Sequence, residues 1–220
     1  RLVFVVSDLR AEGAQHSTLE IIGGLVEQSG WQIAIVSGGC GGLYPAVKAL
    51  PVVYRQIAAP HVSSRSGPQY ERALQRYAGE LTALEPSLVV AVSLAAFHAV
   101  DAAAFLGVPS CWLIRESAPP ERFFGNMPYA LQRRALSCPR AATEIAFVSR
   151  AARAAWDDSC RGVVVPTGPN KDAVVARVTG DRKAARSMLG YDPRDRVLLC
   201  LGTVCTVKGQ EDLLRAFAKV

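Results

Sequence analysis

Short apolar runs alternate with longer amphipathic stretches along most of this chain, and this alternation restricts its fold more than any other feature. Residues 2–7, 31–37, 88–92 and 110–114 are apolar runs of strand length, which is typical of strands buried on both faces. In the stretches between these runs, apolar residues recur at helical spacing. Since such repeats place the strands parallel with helices on both faces, the sequence predicts an α/β fold with a Rossmann-like doubly wound parallel sheet.

Local signals set the boundaries of the elements. Gly30 and Gly107 follow the predicted helices 14–29 and 94–106, and Ser93 is placed to cap the second of these helices. The other predicted elements are strands at residues 52–54, 145–148 and 162–165, helices at residues 69–84, 129–136 and 149–157, and loops at residues 61–67 and 115–120.

Residues 166–180 interrupt the alternation. The stretch holds two prolines, two glycines and the polar run Asn170, Lys171 and Asp172, and this composition is typical of a linker. We therefore expect a Rossmann-like domain over residues 1–165, a linker over 166–180, and an incomplete second α/β domain over 181–220. In this last part the sequence predicts a helix at residues 181–189, a strand at 197–201 and a helix from residue 209.

Composition limits the classes of protein and partner. Of the 220 residues, 50% are hydrophobic and 20% are charged, which fits a globular protein and excludes a disordered chain. No apolar run reaches the length of a membrane span. The net charge of +6 suits an anionic partner such as a diphosphate or an acidic lipid surface. We expect no nucleic acid partner, because the chain lacks a dense basic run, a zinc finger and an RNA-binding motif.

The cysteines and histidines do not have the spacing of a metal site. The six cysteines, at positions 40, 111, 138, 160, 200 and 205, form no CxxC pair, and the three histidines do not lie near two cysteines. We therefore expect free thiols, a reducing cytoplasmic location and no bound metal.

Two loops of the first domain are candidates for ligand binding, because open parallel sheets bind ligands at the carboxyl ends of their strands. In residues 8–13, Gly13 lets an anion or a sugar approach a helix N-terminus. No GxGxxG motif is present, which argues against a dinucleotide ligand. The alternative to a ligand loop is an ordinary turn. Arg115 and Glu116 follow another strand, where a substrate would meet them. The alternative there is a salt-bridged loop.

A third candidate loop lies near the C-terminus. Residues 202–209 read GTVCTVKG, between an apolar run and a predicted helix. Lys208 beside Gly209 places a cation next to helix N–H groups, a combination suited to a pyrophosphate. The GxxxxGK[ST] spacing of a Walker A loop is absent. The alternative is a surface lysine at the start of a helix.

The last 25 residues, RVLLCLGTVCTVKGQEDLLRAFAKV, resemble the opening of the C-terminal domain of GT-B glycosyltransferases of the retaining family-4 type, also called glycosyltransferase group 1. That family shows an apolar strand, G-[R or T]-x4-KG-x and a helix with LL-x-AF. The matching residues are Gly202, Lys208, Gly209, Gln210, Leu213, Leu214, Ala216 and Phe217. Upstream, residues 186–190 are similar to its R-x2-LG element, residues 163–168 to its V-x-P-x-G element, residues 146–150 to the strand before the last helix of its first domain, and residues 13–15 to its GGAE loop.

The resemblance implies transfer of a hexosyl group from a nucleotide-diphosphate sugar, with retention of anomeric configuration. It implies an acceptor-side first domain, a donor-binding second domain, no metal and no cofactor beyond the sugar nucleotide as co-substrate. Gly13 and Ala14 would lie in the glycine loop near donor and acceptor. The diphosphate would be held by Lys208 together with Gly202, Thr203 and Gly209, and a fixed cation there stabilises the leaving group. Arg115 and Glu116 are the acceptor-side candidates. No residue is assigned a catalytic role.

The sequence departs from the family pattern at three places. Thr203 stands where many relatives have arginine, so that Lys208 carries more of the charge. Arg115 and Glu116 stand where relatives often have histidine. Glu12 replaces the first glycine of the first loop. The E-x7-E element of the donor site has no counterpart before residue 220, and we expect the 220-residue chain to be inactive alone.

Other readings remain open from the sequence. One is a nucleotide-sugar epimerase of GT-B shape, and another is a non-catalytic α/β ligand-binding module. The acceptor is a sugar, a lipid or a small molecule. The basic charge and Phe123 with Phe124 also leave open a peripheral contact with the inner face of the membrane.

Overall fold

The computed structural model describes residues 1–157, 160–168, 175 and 180–219. The chain divides into two compact units, residues 1–169 and 170–220. The predicted linker, residues 166–180, falls largely outside the described residues.

The first unit contains a parallel sheet of seven strands in the order β3-β2-β1-β4-β5-β6-β7. This order is that of a doubly wound Rossmann-like sheet, so the predicted fold class is confirmed. The first strand pairs with two neighbours, with Leu2 opposite both Ile33 and Leu88. The strands are β1 (Leu2–Val6), β2 (Ile33–Ser37), β3 (Val53–Gln56), β4 (Leu88–Val92), β5 (Ser110–Ile114), β6 (Glu144–Phe147) and β7 (Val163–Val164).

Helices connect the strands and cover both faces of the sheet. They are α1 (Gly13–Ser29), α2 (Tyr44–Lys48), α3 (Pro60–Ser63), α4 (Gly67–Thr82), α5 (Phe97–Leu106), α6 (Pro120–Phe124), α7 (Tyr129–Ser137) and α8 (Arg150–Ala154). The sequence did not predict α2, α3 or α6. Each is five residues or shorter and has a proline in its first turn. Proline is common in turns and also at the first position of a helix, so it did not distinguish the two.

The caps of the helix after β4 were predicted correctly. The Ser93 hydroxyl accepts a hydrogen bond from the backbone N–H of Ala95, at 3.1 Å. A 3₁₀ turn, Leu94–Ala96, precedes α5. Gly107 ends α5 in the left-handed conformation, with φ 68°, where a residue with a side chain is strained.

The core lies on both faces of the sheet. Val3 and Val5 of β1 join a cluster that includes residues of α4, α5 and α7. Leu2, Phe4 and Val6 join the opposite cluster, which contains Ile22 of α1. Burial of alternate side chains in two different clusters explains why the strand sequence is continuously apolar.

The described part of the second unit contains α9 (Arg182–Met188) and α10 (Gln210–Phe217). The Asp181 carboxylate caps α9 by accepting from the N–H of Lys183, at 3.2 Å. The predicted strand at residues 197–201 is wrong for this chain, since these residues form no strand. A strand requires a hydrogen-bonded neighbour, and the described residues of this unit supply none. Leu198, Leu199 and Leu201 are correspondingly exposed.

A buried ion pair joins three helices of the first unit. Asp101 on α5 is 5% exposed. The Arg134 guanidinium of α7 donates to both of its carboxylate oxygens, with Nε–Oδ2 2.8 Å and Nη2–Oδ1 2.7 Å. The Tyr70 hydroxyl of α4 donates to Oδ2 at 3.0 Å. The forked geometry satisfies the buried carboxylate with charge-assisted hydrogen bonds.

We expect Arg134→Leu to lower the free energy of unfolding by about 3 kcal/mol, because it leaves the Asp101 carboxylate buried beside a single hydroxyl. This is the lower end of the range for buried pairs, since the Arg134 side chain is 47% exposed. Urea denaturation measures the change. The control is Arg133→Leu, at the neighbouring exposed position, which should stay within about 0.5 kcal/mol of the wild type. Equal losses in the two variants would contradict the assignment.

His98 is a deeply buried titratable group on α5. It is 2% exposed, and its ring lies 5.0 Å from the rings of both His61 and Tyr77. Burial, helped by the neighbouring His61, lowers the pKa of His98 to about 3. Burial also lowers the pKa of His61. His98 therefore folds in the neutral form.

The folded chain should lose stability as the pH falls from about 6.5 toward about 3, because only the unfolded His98 takes up a proton in that window. One such proton corresponds to a slope of about 1.4 kcal/mol per pH unit. Urea denaturation at pH 7, 6 and 5 should show a shallower slope in His98→Phe. His16→Gln, at an exposed position of α1, is the matched control. A wild-type slope in His98→Phe would exclude this role.

Candidate functional site

A cleft of about 220 Å³ lies at the carboxyl ends of β1 and β4, where the strand order of the sheet reverses. We call it the switch-point cleft. Doubly wound sheets bind their ligands at this position, because the loops after the two strands diverge. Its polar lining residues are Ser7, Arg10, Glu12, Gln15, Ser93 and Glu116, and Ala14 and Phe123 also line it.

The loop after β1 is organised by one carboxylate. Asp8 accepts hydrogen bonds from the backbone N–H and the Nε–H of Arg10, at 3.0 and 2.9 Å. It also accepts one from Nε2 of Gln15, at 3.2 Å. The loop after β2 supports this turn at Gly41, where a Cβ atom would lie 2.2 Å from the Leu9 carbonyl oxygen. Only glycine allows so close an approach.

Ser93 holds a strained backbone at the end of β4. Its φ of 75° and ψ of 162° are in a region that is otherwise almost restricted to glycine and costs about 1–3 kcal/mol. Its N–H donates to the Leu113 carbonyl at 2.8 Å, and its carbonyl accepts from the Trp112 indole N–H at 2.9 Å. Strain of this kind concentrates at functional sites. The sequence gives no signal of this strained conformation, since it predicts Ser93 only as a helix cap.

Glu116 ties the ends of β4 and β5 together. One carboxylate oxygen accepts from the backbone N–H groups of Leu94 and Arg115, each at 3.1 Å. The side chain is partly buried and lines the switch-point cleft. Two N–H groups that the sheet does not use are thereby satisfied, so the carboxylate fixes the shape of the cleft floor.

Arg115 does not share the position of Glu116. Its guanidinium donates to the Ser17 hydroxyl on α1, and Nη1 is buried without a hydrogen-bond partner. Burial lowers the pKa of Arg115, and the Glu116 carboxylate opposes that effect. The two acceptor-side candidates are thus separated: Glu116 lines the cleft, while Arg115 joins the end of β5 to the first helix.

Gly13 and Ala14 form the first turn of α1 beside the cleft. No side chain caps this helix start. A Cβ atom placed on Gly13 would meet nothing within 4 Å, and Ala14 is among the lining residues. The packing of the chain therefore leaves open space at Gly13, and the sequence prediction of a ligand loop there stays a prediction.

The predicted diphosphate residues lie together in one turn of the second unit. Gly202 and Gly209 have φ of 147° and 72°, and both values favour glycine. The Lys208 side-chain carbons Cγ and Cδ lie 3.8 Å from the position that a Cβ of Gly202 would occupy. The Gln210 amide donates to the Thr203 carbonyl at 3.0 Å. The turn brings Gly202, Thr203, Lys208 and Gly209 together, and their role toward a diphosphate stays a prediction.

The described residues contain no group of three or more histidine, cysteine, aspartate or glutamate side chains arranged to hold a metal ion. They also contain no helix that combines the length and apolar character needed to cross a bilayer. All six cysteines are free thiols, as expected, and burial raises the pKa of Cys111, Cys138 and Cys160.

Several solved structures share the fold of this chain. HepE from Anabaena, solved in complex with UDP and glucose, matches 99% of this chain and 57% of its own, with a TM-score of 0.69 and 15% identity. A glycosyltransferase from Rickettsia africae matches 99% of this chain and 56% of its own, with a TM-score of 0.65 and 13% identity. WaaG, a glycosyltransferase involved in lipopolysaccharide biosynthesis, matches 100% of this chain and 60% of its own, with a TM-score of 0.63 and 14% identity.

These likenesses establish the fold. The chain spans somewhat more than half the length of the three solved structures. No protein-family model and no curated protein matches the chain. At such low sequence identity, structural similarity does not establish a reaction. The α/β architecture of the chain is the GT-B fold of these glycosyltransferases, with the Rossmann-like sheet of the first unit as its main part.

Glu116 offers a test of how the cleft is held in shape. We expect Glu116→Ala to lower the free energy of unfolding by about 1–3 kcal/mol, because two backbone N–H groups lose their acceptor. Glu116→Gln retains a carbonyl oxygen in the same place and should lose less than about 1 kcal/mol. Urea denaturation of the two variants makes the comparison. Equal losses would show that the hydrogen bonds to Leu94 and Arg115 do not hold the cleft.

Proposed function

We propose that this chain belongs to a glycosyltransferase that moves a hexosyl group from a nucleotide-diphosphate sugar to an acceptor hydroxyl, with retention of configuration. One observation carries the proposal: three solved structures that match 99–100% of the chain are two glycosyltransferases and a complex with UDP and glucose. The switch-point cleft supports it, since it lies where this architecture binds ligands.

In the proposed reaction the second unit holds the leaving group. Breaking the bond between the anomeric carbon and the diphosphate leaves negative charge on the phosphate oxygens. A cation already fixed in place stabilises this charge more in the transition state than in the ground state. Lys208 supplies the cation and the N–H groups near Gly209 supply donors, while Thr203 adds a hydroxyl without charge. The turn geometry supports this assignment because both glycines have the conformations that the turn requires.

The first unit takes the acceptor in the same proposal. Gly13 leaves open space at the start of α1, so that a ligand atom approaches the backbone without meeting a side chain. Glu116 holds the cleft floor through its two backbone hydrogen bonds. Arg115 donates a hydrogen bond to Ser17. In the proposal it helps to hold α1 in place and does not contact the acceptor. The acceptor hydroxyl then attacks the anomeric carbon on the face from which the diphosphate departs, as retention requires. The diphosphate leaves with the bonding electron pair, and one of its phosphate oxygens takes up the hydroxyl proton.

Lys208→Ala tests the leaving-group role. In the natural protein, we expect this variant to lower kcat for donor turnover by about 10²–10³-fold, as does loss of one preorganised group that stabilises developing charge. Lys208→Arg keeps the charge in a different shape and should lose less. Release of nucleoside diphosphate from a panel of UDP-, GDP- and ADP-sugars measures turnover. NMR of the transferred sugar shows whether its anomeric configuration is retained.

The matched control is Lys183→Ala. Lys183 is an exposed lysine on α9 of the same unit, and its replacement should leave kcat unchanged. Equal rates for Lys208→Ala and the wild type would remove Lys208 from the site. Failure of the natural protein to turn over any sugar nucleotide would overturn the proposed function.

A further inference from the structure

Gln15 presents an unusual polar group to the switch-point cleft. It lies in the first turn of α1 and is 8% exposed. Its Nε2 donates to Oδ1 of Asp8 at 3.2 Å. Because an ionised carboxylate only accepts hydrogen bonds, the NH₂ end of the amide must face Asp8. The orientation of the amide is therefore set by chemistry, and its carbonyl oxygen points away from Asp8.

That carbonyl oxygen is buried and accepts no hydrogen bond. Buried polar atoms of folded proteins nearly always have a partner. Gln15 also lines the switch-point cleft. An unsatisfied acceptor in the wall of a cleft is therefore suited to a ligand that brings a hydrogen-bond donor, such as a hydroxyl group.

The charges around the cleft oppose a phosphate. Glu12 and Glu116 line it and Asp8 lies behind Gln15. The cation of the lining, Arg10, already forms ion pairs with Asp8 at 2.9 Å and with Glu12 at 3.4 Å. Carboxylates outnumber the cation, so a phosphorylated ligand would meet like charge. An uncharged ligand with hydroxyl groups meets no such penalty.

An aromatic side chain completes the wall. Phe123 is 38% exposed and lines the cleft, and its ring is held at 86° to that of Phe124 with centroids 5.2 Å apart. Ligand sites combine an apolar or aromatic surface with a few convergent polar groups. A sugar ring offers both an apolar C–H face and hydroxyl donors, and it matches this combination.

We propose that the Gln15 carbonyl oxygen accepts a hydrogen bond from one hydroxyl of an uncharged sugar in the switch-point cleft, and that the site selects neutral sugars over phosphorylated ones. Asp8 is a positioning residue in this arrangement, because its hydrogen bond to Nε2 holds the Gln15 amide with the carbonyl oxygen turned away from Asp8. The inference rests on the proposed function in identifying this sugar as the acceptor, whereas its binding is tested without turnover.

The experiment measures sugar binding to the 220-residue chain by NMR titration. The probes are the methyl glycosides of glucose, galactose and mannose, with glucose 6-phosphate as the charged counterpart. At least one neutral glycoside should bind, and the phosphate should bind at least tenfold more weakly. Gln15→Met has nearly the same shape and should weaken binding of the neutral glycoside about tenfold, a factor that corresponds to about 1.4 kcal/mol. Gln28→Met, at an exposed position of the same helix, is the control and should bind as the wild type does.

A second comparison changes the ligand and leaves the protein intact. Monodeoxy forms of the glycoside that binds remove one hydroxyl at a time. One of them should bind wild type about as weakly as the full glycoside binds Gln15→Met, and that same deoxy sugar should show no further loss with Gln15→Met. This cycle identifies the hydroxyl that donates to Gln15, and it stays valid if Gln15→Met shifts the fold slightly.

Three results would overturn the inference: no binding of any neutral glycoside, equal binding of glucose 6-phosphate, or unchanged binding in Gln15→Met. Its failure is distinguishable from failure of the proposed function. Sugar-nucleotide turnover by the natural protein together with unchanged binding in Gln15→Met would remove this inference alone. Neutral-sugar binding that depends on Gln15, without turnover of any sugar nucleotide, would retain the site and remove the proposed reaction.

Discussion

The parallel pairing of β1 with both β2 and β4 is the constraint on which the first unit depends. From β1 the sheet grows in two directions, and the helices that follow β1 and β4 lie on opposite faces: Ile22 of α1 packs in one core cluster and Phe97 of α5 in the other. The loops that follow these two neighbouring strands run to opposite faces of the sheet, so they must separate at its carboxyl edge. The switch-point cleft is the space between them, so the topology alone creates it.

Most of this fold was predictable because the sequence records burial directly. Strands with both faces covered are apolar at every position, as in β1 and β4, and amphipathic helices between them mark the crossovers. The short helices α2, α3 and α6 were not predictable, since four or five residues carry too little periodicity. At residues 197–201 the sequence predicted a strand that is not present. An apolar run favours burial, but it forms a strand only where a neighbouring strand can pair with it.

The candidate site was predictable only where a residue type indicates its chemistry. Gly13 and Lys208 could be named because glycine at a helix start and lysine beside glycine are local signals. Arg115 and Glu116 were named as a pair, yet their side chains have different partners. Arg115 donates to Ser17, and Glu116 accepts from the N–H groups of Leu94 and Arg115, which follow β4 and β5. Ser93 and Gln15 were missed as site residues. A positive φ and an unsatisfied amide oxygen depend on three-dimensional contacts that no residue type indicates.

The charges of the two units suggest how they differ in role. The first unit surrounds its cleft with Asp8, Glu12 and Glu116, and Arg10 is already paired there. The loop of the second unit instead places Lys208 beside two glycines whose conformations are fixed by the turn. In the proposed reaction, a diphosphate would be stabilised by the second arrangement and repelled by the first. Glu12 occupies the position where the resemblance implies a glycine, and a carboxylate there strengthens this difference. The Glu12 carboxylate thus has two effects in the proposal. It disfavours a phosphate at the first loop, and it leaves the cleft suited to a neutral ligand with hydroxyl groups.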